Sequence, residues 1–269
     1  MTKQELSQIL PEVEGVYLIF SKLTRSPYVE CDPETFEDEV IIFLNENEAT
    51  ACAEQMEKHE IPVIAGKVSK QNMLRMFAEL FPIGVNNIRF FVGGEESLIV
   101  GLEEVVKRPP LEEVPENVRP IENPQLSLSM LYFMQEARNK KENKDLDKIH
   151  ELEEEMIANV YRSSYILPTK DAEVEGQQAV KFMLVKMQDG TQMVPIFPDT
   201  VSFANFVGKE AEVKGIVLSP KKLLDINLPP EASGYVISPA GACLAMTKEY
   251  LEAIVKSFEM SDEEEENEE

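Results

Sequence analysis

Val40-Ile41-Ile42-Phe43-Leu44, followed by Asn45-Glu46-Asn47 and then by Ala49, Cys52, Ala53 and Met56, is the stretch whose reading decides the fold. Five consecutive residues of a β-rich apolar run make a strand, and Asn45 or Asn47 can cap the helix whose small apolar side is set by the four residues that follow. The same grammar returns at Met193-Val194-Pro195-Ile196-Phe197, which hands over to a capped helix from Asp199 to Val207. A second pair matches in the same order. Arg89-Phe90-Phe91-Val92-Gly93-Gly94 leads into Ser97-Leu98-Ile99-Val100, and Gly234-Tyr235-Val236-Ile237-Ser238-Pro239-Ala240-Gly241 leads into Cys243-Leu244-Ala245. The expected fold class is therefore α/β (mixed α+β), with two small sheet-plus-helix modules. The gaps between matched blocks differ, which excludes a strict-period solenoid.

Working outward, the first half offers strands at Val16 to Phe20, Tyr28 to Cys31, Glu39 to Leu44, Pro62 to Val68, Ile88 to Val92 and Leu98 to Val100. A helix opening at Ser69 places Met73, Leu74, Phe77, Leu80 and Phe81 on one stripe, read as core, and stops at Pro82 and Gly84. From Lys107 the composition changes: Pro109, Pro110, Pro115, Pro120 and Pro124 forbid helix interiors and central strands, so an extended connector is expected. Beyond it, Leu126, Met130, Phe133 and Ala137 form one helical stripe. Leu146, Ile149, Leu152, Met156, Ile157 and Val160 form another, and the two read as a helical hairpin turning at Lys140 to Asn143. Strands follow at Tyr165 to Leu167, Val180 to Met187, Gln192 to Phe197, Glu212 to Leu218 and Tyr235 to Ser238. Asp189-Gly190 signals a two-residue type I′ hairpin, Ser219-Pro220 a helix start, and Thr247 the start of a last helix through Phe258. The predicted domains are residues 1–108, a proline-rich linker at 109–124, a second module at 125–260 led by the hairpin, and a disordered acidic tail at 261–269.

The chain has 269 residues and a formal net charge of −24. The tail contributes seven acids and no base, leaving −17 over the rest. So acidic a body repels phosphate backbones and anionic lipid, so neither nucleic acid nor a membrane is an expected partner. No apolar run approaches the ~20 residues of a membrane-spanning helix, and the N-terminus lacks a secretory signal pattern, so a cytoplasmic location is expected.

Chemistry is sparsely signalled. Cys31, Cys52 and Cys243 are too widely spaced for a disulfide framework or a CxxC site, and Cys52 reads as a small buried hydrophobe among Ala49, Ala53 and Met56. His59 and His150 stand apart on charged helical segments, so no triad and no metal set is expected. Gly93-Gly94 is followed by two carboxylates where an anion would sit. Ser238-Pro239-Ala240-Gly241 lacks that objection but reads first as a tight turn. These two turns, Gly93, Gly94 and Ser238, Pro239, Ala240, Gly241, are the candidate binding surface. No cofactor is expected.

At these same blocks the chain resembles the SseB family (enhanced serine sensitivity), in particular its N-terminal domain. The resemblance is carried by the paired leading helices, Tyr165-Ile166-Leu167-Pro168, Val194-Pro195-Ile196-Phe197 and Tyr235-Val236-Ile237-Ser238-Pro239 with its turn and terminal helix. The first half looks like a more divergent copy through Ser26 to Thr35, Val40 to Leu44 and Gly84-Val85-Asn86. The family pattern has Phe-Thr where this chain has Phe197-Pro198, and Asn-Pro where it has Ser238-Pro239. The resemblance implies a small α/β domain with no set of catalytic residues to carry over. The expectation is a non-catalytic cytosolic bacterial protein that binds a protein partner or a small ligand. The rivals are an enzyme whose site is assembled from both modules and an assembly protein using the helical hairpin.

Overall fold

The structure, a computed structural model, describes residues 1–94, 96–174, 177–210 and 212–268; the side chains of residues 111, 117, 174, 177, 178 and 261–268 lie outside that description. The mixed α/β expectation holds. The chain divides into two compact units, Met1–Arg119 with Ser127–His150, and Pro120–Leu126 with Glu151–Glu269.

In the first unit α1 (Lys3–Ile9) precedes β1 (Gly15–Ser21), β2 (Val29–Cys31) and β3 (Asp38–Phe43); α2 (Glu46–Lys58), β4 (Val63–Ser69) and α3 (Lys70–Leu80) lead to β5 (Asn87–Gly93), β6 (Glu96–Gly101) and the one-turn α4 (Leu102–Val105). These strands make one sheet in the order β4-β1-β3-β5-β6, with β2 paired to β3. The start of β3 pairs with β2 and its end with β1, both antiparallel, while β5 runs parallel to it, with Val40 opposite Ile88 and Phe43 opposite Phe91. Alternation along β3 sends Ile41 and Phe43 to the α2 side with Ala49, Ala53 and Val63, while the opposite face carries Phe90 toward Phe77 of α3. Asn45 caps α2 through its side chain, accepting from the amides of Asn47 and Glu48.

The second unit repeats this order. Helix α6 (Leu146–Arg162) precedes β7 (Tyr165–Val174), which folds back on β8 (Gln177–Phe182); β9 (Val185–Lys186), β10 (Gln192–Ile196), α7 (Thr200–Val207), β11 (Val213–Leu218) and α8 (Pro220–Leu224) lead to β12 (Ala232–Ile237), β13 (Leu244–Thr247) and α9 (Lys248–Glu268). The pairing senses repeat too. β10 and β12 are parallel, β12 and β13 antiparallel, β11 and β7 antiparallel, and an isolated antiparallel bridge joins Ile166 to Phe197 where β1 meets the end of β3 in the first unit. The caps also correspond: Phe43-Leu44-Asn45 opens α2 and Phe197-Pro198-Asp199 opens α7, while Ser69 stands before α3 and Ser219 before α8. The match has limits: β8, paired to β7, has no counterpart in the first unit, and the second unit's strands form two sheets, β13-β12-β10-β9 and β11-β7-β8, joined by the Ile166–Phe197 bridge. The shared parallel centre, pairing senses and cap positions make the two halves alike in topology.

Four expectations differ from what is found. The helical hairpin is not one element of the second module: α5 (Pro124–Ala137) and α6 are each divided between the units. The cause is polar anchoring of α5 on the first unit, where Tyr132 donates to Asp38, Gln135 to the Val29 carbonyl, Arg138 to that of Leu23 and Asn139 to that of Glu60. The connector carries two 3₁₀ turns, Leu111–Glu113 and Glu116–Val118. The turn at Asp189-Gly190 is not type I′, since only Gly190 has positive φ. Its amide donates back to Met187 and Met187 bonds Thr191, the three-residue loop in which a type I turn ends on a left-handed glycine. Finally, the tail expected to be disordered continues α9 as helical backbone to Glu268, because a nucleated helix gains one bond per added residue and glutamate is an adequate helix former.

Gly234, within β12, has φ of 151°, and a Cβ there would lie 2.2 Å from the Met246 carbonyl oxygen on β13. Gly94, with φ of 62°, has open space around it. Gly234→Ala is expected to destabilise by ~2–4 kcal/mol, from strain plus backbone collision, and Gly94→Ala by about 1 kcal/mol, from strain alone. Urea denaturation of both variants checks this; equal losses would contradict the close approach.

Candidate functional site

An open groove built within one unit lies on the face of the first unit that carries α1 and α3. It is a groove of about 600 Å³ whose floor is Leu6, Met73, Phe77 and Val100 and whose rim includes Lys3, Lys70 and Glu104. Helix α1 is set in place by a capping box, in which Thr2 and Glu5 each accept from the other's backbone amide, and it buries Leu6. Helix α3 turns Met73 and Phe77 inward, yet Leu74, placed in the core stripe by sequence, is 67% exposed. The reason is local: α4 makes only one turn before the chain reaches Pro109-Pro110, and among the described residues of this unit the outer side of α3 is left open at Leu74. Glu104 at the rim accepts from Lys3 Nζ at 2.7 Å and from the Gly101 amide at 3.1 Å. Those two bonds, the lysine first, hold its carboxyl below the usual range. An apolar floor with a partly exposed leucine and mixed charges on the rim is suited to hold apolar side chains.

A polar cluster occupies the start of β3. Arg89 bonds Glu39 and reaches Asp32 at 3.0 Å, and Glu30 sits opposite Glu39 across the β2–β3 pair. Glu39 is 2% exposed and its Oε2 has no hydrogen-bond partner. Burial, then Glu30 and Glu136, pushes the Tyr28 hydroxyl up to about 12, and burial followed by the bond to Asp38 raises Tyr132 further. Burial is also the first cause that raises the Asp38 carboxyl and the Cys31 and Cys52 thiols. Raised thiols are poor nucleophiles at neutral pH, so the cluster serves to fasten β2, β3, β5 and α5 together.

The turns singled out by sequence occupy equivalent places, Gly93 and Gly94 between β5 and β6, and Ser238, Pro239, Ala240 and Gly241 between β12 and β13. Each is closed mainly by its own unit's atoms. The Ser238 carbonyl accepts from the amides of Gly241 and Cys243, and the Gly94 amide donates to Glu48. Ser238 and Cys243 both take positive φ, so Cys243 belongs to the turn rather than to the strand in which sequence placed it. Neither turn contributes to the groove. Glu95 lies outside the described residues. His59 and His150 are exposed, and among the described residues no His, Cys, Asp and Glu set is grouped to hold a metal. No described helix is long and apolar enough to cross a membrane.

No protein-family model and no characterised protein matches the chain. Two solved structures align with the chain at low similarity. Tic22 from Plasmodium falciparum aligns over 86% of this chain and 90% of its own, with 15% identity and a TM-score of 0.22. Anabaena Tic22 (protein transport) aligns over 84% and 85%, with 11% identity and a TM-score of 0.23. At these values neither lends this chain a function.

Burial, then the Glu39 charge, holds the Glu30 carboxyl above its ordinary range, with Arg89 opposing and Asp32 adding. An acid whose pKa is raised on folding leaves stability intact below its unfolded pKa, and stability is lost as pH rises from there to the folded pKa. Glu30→Gln is therefore expected to raise the urea midpoint at pH 7 and to leave it nearly unchanged at pH about 3.5, where the unfolded glutamate is mostly protonated. A gain of equal size at both pH values would contradict the assignment.

Proposed function

We propose that this protein is a non-catalytic binding protein of the SseB-like type, acting in the cytoplasm, and that the groove between α1 and α3 holds an apolar segment of a protein partner. The observation that carries this reading is Leu74: a large aliphatic side chain 67% exposed beside the buried Met73 and Phe77, at the mouth of an open apolar groove. Scattered exposed leucines are ordinary, whereas one continuous with an apolar cavity marks a surface built to be covered. Cys31, on the surface and outside any disulfide, supports a reducing compartment. The rival that uses the helical hairpin for assembly finds little support. Leu126, Met130, Leu131, Met134, Met156 and Val160 are all buried, which leaves Leu146 as the exposed large apolar residue between Leu126 and Val160.

Leu74→Glu tests this reading. Burying a leucine side chain stabilises by about 1.5–3 kcal/mol, so its loss should weaken binding of a permanently unfolded, apolar-rich polypeptide roughly 10- to 100-fold. Phe36→Glu is the control, since Phe36 is 80% exposed and lies outside the groove. Both variants should keep the parent melting temperature. Binding that survives Leu74→Glu, or that is lost with Phe36→Glu instead, would remove the groove from the account.

A further inference from the structure

The duplicate unit shows what such a groove receives. After β13, α9 does not stop at one turn as α4 does after β6; it runs on between α6 and α8, the counterparts of α1 and α3. Its Leu251, Ile254 and Val255 are buried, and Phe258 stacks on Tyr161 of α6 with ring centroids 4.8 Å apart. Its polar flank is held at both sides: Glu259 pairs with Lys221 in the first turn of α8 at 2.8 Å, and Tyr250 donates to Glu153 of α6. The first unit keeps the seat without the occupant. Lys70 stands in the first turn of α3, as Lys221 does in α8, and Lys3 lines the α1 side. Lys3 is already paired with Glu104 on the rim, which leaves Lys70, and in a chain of net charge −24 a lysine at the mouth of an apolar groove selects for negative charge beside the apolar stripe.

Resting on the protein-binding reading of this groove, we infer that its occupant is an amphipathic α-helix of a partner protein, with an aliphatic or aromatic stripe at i, i+3, i+4 and i+7 and carboxylates along the flank that meets Lys70. The bound helix takes the place that α9 holds in the second unit. Its stripe covers Leu74 and Met73 as Ile254 and Phe258 cover their own unit. Helix-in-groove recognition of this kind places the specificity in stripe spacing and flank charge.

The test uses the full chain with ¹³C-methyl methionine and, as probe, the acetylated and amidated 13-residue peptide of residues 248–260, Lys-Glu-Tyr-Leu-Glu-Ala-Ile-Val-Lys-Ser-Phe-Glu-Met. Saturable movement of the Met73 methyl is expected, with the buried Met246 methyl of β13 unmoved. In the peptide, Ala253→Pro keeps the apolar stripe but breaks the helix and should weaken binding at least about tenfold. The charge-reversed peptide, with Glu249→Lys, Glu252→Lys and Glu259→Lys, should bind roughly fivefold or more weakly, and Lys70→Glu in the protein should reverse that preference. If the proline-broken peptide binds as well as its parent, the helical occupant is overturned while the protein-binding groove stands. If the charge-reversed peptide binds equally well, the acidic flank is overturned. If no peptide moves Met73, and the unfolded polypeptide also fails to bind, both readings fall.

Discussion

A parallel pair of strands cannot be joined by a tight turn, because the chain must travel back the length of the strand before it can run alongside again. Both units are built around one such pair, β3 with β5 and β10 with β12. In each, the return journey is a helix, an antiparallel strand and a second helix, which puts α2 against one face of the first sheet and α3 against the other. The caps follow from the same demand. The chain must leave a central strand and start a helix at once, and Asn45 and Asp199 satisfy the first free amides at that corner. Everything else in either unit is attached to this parallel centre.

The two units part company at the element that follows the last strand. Pro109-Pro110 ends any helix after Val106, whereas Thr247 onward offers three apolar turns with no proline. One unit therefore closes its helical face with its own C-terminal helix and the other leaves that face open. The first sheet has instead been reinforced elsewhere, by α5 anchored through Tyr132, Gln135, Arg138 and Asn139 and by Arg89 between Glu39 and Asp32. A polar network of that kind costs desolvation, and it stabilises the sheet only while Arg89 keeps both carboxylates company. Firm attachment at one side and an uncovered apolar groove at the other is an arrangement suited to receiving a partner without unfolding.

Much of this was legible in the residues. The apolar runs at Val40 to Leu44 and Met193 to Phe197 located the central strands, Ser219-Pro220 and Thr247 located two helix starts, and Pro82 with Gly84 located a stop. What was not legible depends on contacts distant in sequence. Periodicity puts Leu74 on the same stripe as Phe77 and cannot tell that no element arrives to cover it. The split of α5 from the second module turns on single hydrogen bonds to Leu23, Val29 and Asp38, about a hundred residues away, which no local pattern encodes. The groove is assembled from α1, α3, β6 and α4, none of which carries a motif. Its one sequence signal was a contrast between duplicates, a proline stop after Val106 against a continuing stripe after Thr247.

Thiol labelling addresses the central claim, that one duplicate is open where the other is filled. In a chain whose three cysteines are replaced by alanine, single variants place a thiol at Leu74→Cys on the groove wall of α3 and at Ile254→Cys on α9, the helix that fills the second unit's equivalent place; the parent residues are 67% and 4% exposed. The account predicts that the thiol at 74 reacts within about tenfold of its rate in urea, while the thiol at 254 is slowed at least about a hundredfold, because only the latter must wait for local opening. Comparable protection at the two positions would show that the first unit's groove is already covered, and would contradict the account at its base.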